Sequence, residues 1–213
     1  MSSTAASSTA TSTTAAAGIV PAVDAEERAR RARVPLEMRR GLLGKMFAWY
    51  SRRNYGAMLE PGMAMSHNTR VLLADSLFEL QIGRFTALDP MLRTLATTAV
   101  AVQIECSWCL DFGYLEAHHR GMDLAKISAV PRWQRSGIFT PTERRVLEYA
   151  DAATATPPAV TDELAAQLRT ELGDAAFVEL TMMVAVENLR SRFNAALGLA
   201  SQGFSEACRL PAR

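Results

Sequence analysis

The sequence predicts an all-α fold. Apolar residues recur at three- and four-residue spacing through successive segments, most of those segments open on a capping residue or close on Gly or Pro, and none shows apolar–polar alternation between hairpin turns. With 213 residues, 49% of them hydrophobic, the chain suits one sizeable core better than two. No internal repeat of fixed period is present.

The elements follow in order. Residues 1–23 are nearly all Ser, Thr and Ala, with no charge before Asp24, so they bury too little surface to offset ordering entropy and are expected to form a disordered tail. This stretch has neither the basic start and apolar run of a secretory leader nor the arginines of a transit peptide, so the cytoplasm is the expected location. Residues 24–63 form a basic helical arm. "DAEERARRAR" opens it, and "PLEMRRGLLGKMFAWYSRRNYG" sets Leu42, Leu43, Met46, Phe47 and Tyr50 at helical spacing. Its cations, from Arg28 to Arg53, are expected to line a solvated face, because acidic residues interleave at its start.

Residues 64–202 form the main domain. "AMSHNTRVLLADSLFELQIGRF" puts Val71, Leu72, Leu77, Phe78 and Ile82 on one stripe. In "LDPMLRTLATTAVAVQI", Asp89 is the N-cap and Pro90 the first helical residue, and the helix that follows is apolar on most sides, so it should lie at the centre. "MDLAKISAV" is a short helix stopped at Pro131, and "PRWQRSGIF" is a connector. Thr140-Pro141-Thr142-Glu143 is a capping box for "ERRVLEYADAATA", which Pro157-Pro158 ends. Thr161 caps "DELAAQLRTEL", Gly173 closes it, and a long Met-bearing helix follows. Residues 203–213 are a C-terminal tail, with Cys208 an unpaired thiol.

With 23 basic and 22 acidic residues, nothing global steers the chain toward nucleic acid or acidic lipid. No apolar run approaches the roughly 18 residues that would span a bilayer. A small molecule or a protein is the expected partner.

The chemistry concentrates in "IECSWCLDFGYLEAHHRG", residues 104–121, where Cys106 and Cys109 form a Cys-x-x-Cys. Two cysteines three apart at a helix start lie within disulfide reach, and the helix dipole favours a thiolate there, while the carboxylate of Glu105 opposes it. From residue 106 a helix would put Phe112, Gly113 and Glu116 on the face of Cys109. His118 and His119 would fall on another side, more than ~13 Å along the axis at 1.5 Å per residue. Structural zinc needs a second ligand pair converging on the first, and none is placed to do so, hence no metal is expected. Two thiols packed as small apolar side chains remain the alternative to a reactive dithiol.

The segments "LRTLATTAVAVQIECSWCLDFGYLEAHHRGMD", "FTPTERRVLEYADAAT" and "VTDELAAQLRTELGDAAFVELTMMVAVENLRSRFNAALG" together resemble the carboxymuconolactone decarboxylase-like superfamily. Over roughly residues 65–200 they are most similar to its Cys-x-x-Cys branch, typified by alkylhydroperoxidase D. The resemblance implies an alkylhydroperoxidase D-like helical bundle that assembles into trimers or hexamers. It also implies a peroxidase or disulfide oxidoreductase without a cofactor, in which Cys109 attacks a peroxide, Cys106 resolves it, and a dithiol or disulfide reductase supplies electrons.

The branch's proton-relay positions are altered: Gly113 and Trp108 stand where it has histidines, and Thr94 where it has a glutamate. His67, Asp111, Glu116 and Arg190 are the candidate replacements, and Trp108 with Phe112 could wall an apolar ligand pocket. A relay-deficient oligomer that binds a ligand or partner, or senses redox state, is the alternative function. The decarboxylase branch ranks lower, since it generally works without the dithiol.

Overall fold

A computed structural model of the chain describes residues 20–207. Most of the proposed 1–23 tail, and Cys208, lie outside them. Among the described residues the regular elements are all helical. The arm comprises α1 (Ala25–Arg31), α2 (Leu42–Tyr55) and α3 (Glu60–Met65). The domain follows with α4 (Thr69–Ile82), α5 (Pro90–Gln103), α6 (Ser107–His119), α7 (Leu124–Ala129), α8 (Pro141–Thr154), α9 (Asp162–Leu172), α10 (Asp174–Ala196) and a short α11 (Phe204–Ala207).

The caps explain the boundaries. Asp89 accepts from the N–H groups of Met91 and Leu92, the Thr140–Glu143 box closes in both directions, and Thr161 accepts from Leu164 N–H. α7 ends at Ala129, ahead of Pro131 as expected, and Pro131 then sits in the first turn of a 3₁₀ helix over Val130–Arg135. Near the start of a turn its missing N–H costs nothing.

α5 is central, with Leu95, Ala96, Ala99 and Val100 all buried, and α6, α8 and α10 pack around it. This is the consequence of a helix with little polar surface. The stripe expected on α4 divides. Leu72 and Ile82 are buried, and Phe78 packs with Ile82 on Met183 and Val186 of α10, but Val71 and Leu77 face solvent. The α2 stripe is likewise mostly exposed, with only Phe47 turned inward onto Gly62, where a Cβ would come within 1.9 Å of its ring.

Most arm cations are exposed as expected. Arg28 departs from this, since it forms a 2.6 Å ion pair with the buried Glu60. Burial raises the Glu60 carboxyl above its usual range, against the pull of Arg28.

The first described residues pair with the C-terminal segment, and that segment docks on α6. Val23 N–H donates to Ser201 O and Ala22 N–H to Glu206, while the N–H groups of Gly203, Phe204 and Ser205 donate to the buried carboxylate of Asp111. Residues 203–206 are therefore docked rather than a free tail, because a single carboxylate satisfies the orphan donors at the start of α11.

Candidate active site

α5 ends at Gln103, and the chain reverses into α6 through Glu105, a non-glycine residue at φ 60°. That left-handed turn lets Cys106 N–H donate to Ala101 O and brings the cysteine to the N-cap of α6. Cys106 Sγ then accepts the N–H of Cys109 at 3.2 Å, the bond a capping serine would accept. Glu105 itself is exposed, so solvent screens its carboxylate.

The sulfurs of Cys106 and Cys109 are joined as a disulfide, with Cα atoms 5.3 Å apart. One turn of helix supplies this separation, within the ordinary disulfide range. The pair is deep, Cys106 being 2% exposed and Cys109 8% exposed. Val20, Leu59, Ala101 and Val102 pack around it.

Among the described residues, the side-chain polar atom that reaches the sulfurs from outside their own helix is the amide of Asn194 on α10, which donates from Nδ2 to Cys109 Sγ at 3.3 Å. Asn194 is 2% exposed. It continues a buried stripe of Glu187 and Ser191, which bond to each other at 2.9 Å. Nothing in the sequence reading singled out Asn194. The available signal was its phase, since Leu180, Val184, Glu187, Ser191 and Asn194 recur at three- and four-residue spacing along the core face.

The four suggested relay replacements are engaged elsewhere. His67 Nε2 pairs with Pro35 O, Glu116 with Arg120, Asp111 with the start of α11, and Arg190 with Glu79 and Glu187. Beside Gly113 there is open space, as no described atom other than its chain neighbours and its own helix backbone lies within 4 Å of where its Cβ would stand. His118 and His119 are exposed at the far end of α6.

Trp108 and Phe112 stack, with centroids 4.9 Å apart, and Tyr55 and Phe204 meet Phe112 edge-on at 5.0 and 6.0 Å. Trp108 Nε1 is held by Gln202 Oε1 at 2.8 Å. This aromatic group fills the flank of the dithiol as packing. Clefts of about 260 and 200 Å³ lie at Val102, Trp133 and Asp151 and at Arg39, Leu42 and Thr69, and neither is lined by a cysteine. No set of three or more His, Cys, Asp or Glu able to hold a metal ion occurs among the described residues. No described helix is long and apolar enough to cross a membrane.

An all-helical bundle with a Cys-x-x-Cys at the N-terminus of a buried helix defines a class of dithiol proteins with an alkylhydroperoxidase D-like fold. The same fold is found in a peroxidase-related protein from Silicibacter sp. TM1040, with 15% identity, TM-score 0.71, and coverage of 81% of this chain and 95% of that one. It is found also in the debrominase Bmp8 in complex with 2,3,4-tribromopyrrole, with 18% identity, TM-score 0.68, and coverage of 83% and 97%. YnjA of Escherichia coli (strain K12) is 34% identical over 165 residues, 77% of this chain and 89% of YnjA.

Residues 75–152 match the model of the carboxymuconolactone decarboxylase family. The chain belongs to that family, in its Cys-x-x-Cys branch. The matched region includes both cysteines and ends before α10, the helix that carries Asn194.

Proposed function

We propose that the protein is a thiol-dependent peroxidase in which Cys109 is the nucleophile and Cys106 the resolving thiol. The observation that carries this reading is the bonded contact of the two sulfurs across the first turn of α6. The Cys109 thiolate attacks one peroxide oxygen: the S–O bond forms, the O–O bond breaks, and the departing alkoxide takes a proton and leaves as an alcohol. Cys106 then attacks the sulfenic sulfur, forming the disulfide and releasing the hydroxyl with a proton as water. An external dithiol returns two electrons and two protons by exchange, and is itself oxidised to a disulfide.

The burial of both sulfurs favours small reactants over a bulky protein disulfide, which needs an exposed sulfur to attack. The working unit in this reading is a cytoplasmic assembly of identical copies.

Hydroperoxide consumption under excess dithiothreitol tests the reading. The wild type should turn over and Cys109→Ser should lose turnover at least ~100-fold, as expected for removal of a covalent nucleophile; Cys106→Ser, given one equivalent of hydroperoxide after dithiothreitol has been removed, should accumulate a trappable sulfenic acid. Turnover unchanged in Cys109→Ser would sink the assignment.

A further inference from the structure

The dithiol chemistry needs a thiolate at Cys109, and none of the four suggested side chains reaches it. We propose that Asn194 is a catalytic residue, its side-chain amide donating to Cys109 Sγ and holding the thiolate that attacks. The inference rests on the dithiol reading above and names the group that serves it.

The argument begins with burial. An amide taken from water into an apolar helix face is costly unless its donors are used, and the side-chain partner of Asn194 among the described residues is Cys109 Sγ. A disulfide sulfur is a weak acceptor, whereas a thiolate is a full anion that forms a charge-assisted bond. The contact is therefore worth more in the reduced protein than in the oxidised form, and it favours reduction of the pair.

The same contact distributes charge between the two sulfurs. Cys106 takes the backbone N–H of Cys109 and the N-terminal dipole of α6, so local helix geometry alone would put the thiolate on Cys106. Asn194 supplies a donor from α10 to Cys109 instead. Among the described residues the nearby charges are engaged elsewhere or exposed. Glu105 is exposed, Asp111 is committed to three backbone N–H groups, and the hydroxyl of Ser191 is taken by Glu187. Val20, Leu59, Ala101 and Val102, packed on the pair, carry no charge.

The experiment uses the full chain. With Cys106→Ser and Cys208→Ser leaving Cys109 as the single thiol, its thiolate is titrated by ultraviolet absorbance in the Asn194, Asn194→Ala and Asn194→Asp proteins. A hydrogen bond to a charged group predicts a titration midpoint about one pH unit higher in Asn194→Ala, a roughly tenfold loss of thiolate below the midpoint. Asn194→Asp, nearly isosteric and so suited to keeping the fold, should move it further, by putting a carboxylate against the sulfur.

With both cysteines restored, equilibration against dithiothreitol should shift about tenfold toward the protein disulfide in Asn194→Ala, roughly 30 mV. Midpoints equal to the parent's in the folded variants would overturn the proposal. The peroxidase reading fails separately, by absent hydroperoxide turnover while the Asn194 effect on the midpoint persists.

Discussion

Glu187 sits one turn before Ser191 on the inner face of α10, buried, with Arg190 its nearby cation. Burial raises its carboxyl above the usual range, Glu79 adds to this, and Arg190 and Ser191 offset only part. A raised value means that the folded protein binds this proton more tightly than the unfolded chain does. The stabilising contribution is complete below the unfolded value of about 4.3 and is lost as pH rises through the folded one. Urea unfolding of wild type and Glu187→Gln should show the wild type losing stability relative to the variant as pH rises above about 4.3, by about 1.4 kcal/mol for each pH unit separating the two values. A constant difference as pH rises would show that Glu187 does not carry the proton. Cys106 and Cys109 were legible in the sequence because their spacing alone defines one helical turn. Asn194 was not, because an asparagine late in a helix reads as solvated until the helix phase, set by Leu180 and Val184, turns it inward.

α6 shows how one element is fixed at its start and along its length. Its N-terminus depends on the turn at Glu105, and its middle anchors the C-terminal segment through Asp111, which is 0% exposed and accepts three backbone N–H groups at 2.7–3.1 Å. Removing the carboxylate leaves those donors buried without a partner. Asp111→Ala should therefore cost about 3 kcal/mol or more in urea unfolding, and hydrogen exchange should accelerate first at residues 203–205. Asp111→Asn, which keeps one oxygen, should lose less. Helix starts such as Asp89-Pro90 and the Thr140 box were readable because each cap is satisfied within three residues. The docking of α11 was not readable, since Asp111 and Ser205 are 94 residues apart and no local rule connects them.

At the scale of the whole molecule, apolar surface on α2 and α4 has no partner among the described residues. Leu42, Met46 and Trp49 share one exposed face of α2, and Leu73, Leu77 and Leu80 share one exposed face of α4, each set recurring at helical spacing. α4 is held to the domain by the Ile82–Met183–Val186 contact and by the ion pair of Glu79 with Arg190, both on its other side. Large side chains gathered at helical spacing are what a covered face requires, and left in water they form the kind of patch that drives association. A second copy of the chain is the occupant we infer. This also accounts for the clear apolar period in these helices despite the burial of only Leu72, Ile82 and the partly buried Phe78 on α4. Light scattering coupled to size exclusion should give a mass of at least two chains for the wild type. Leu77→Glu combined with Leu80→Glu should reduce it to one chain with helical content retained, because these two residues, each 62% exposed, contribute little to the fold of a single copy. A wild type that runs as a single chain at every concentration would leave the α2 and α4 faces unexplained by self-association.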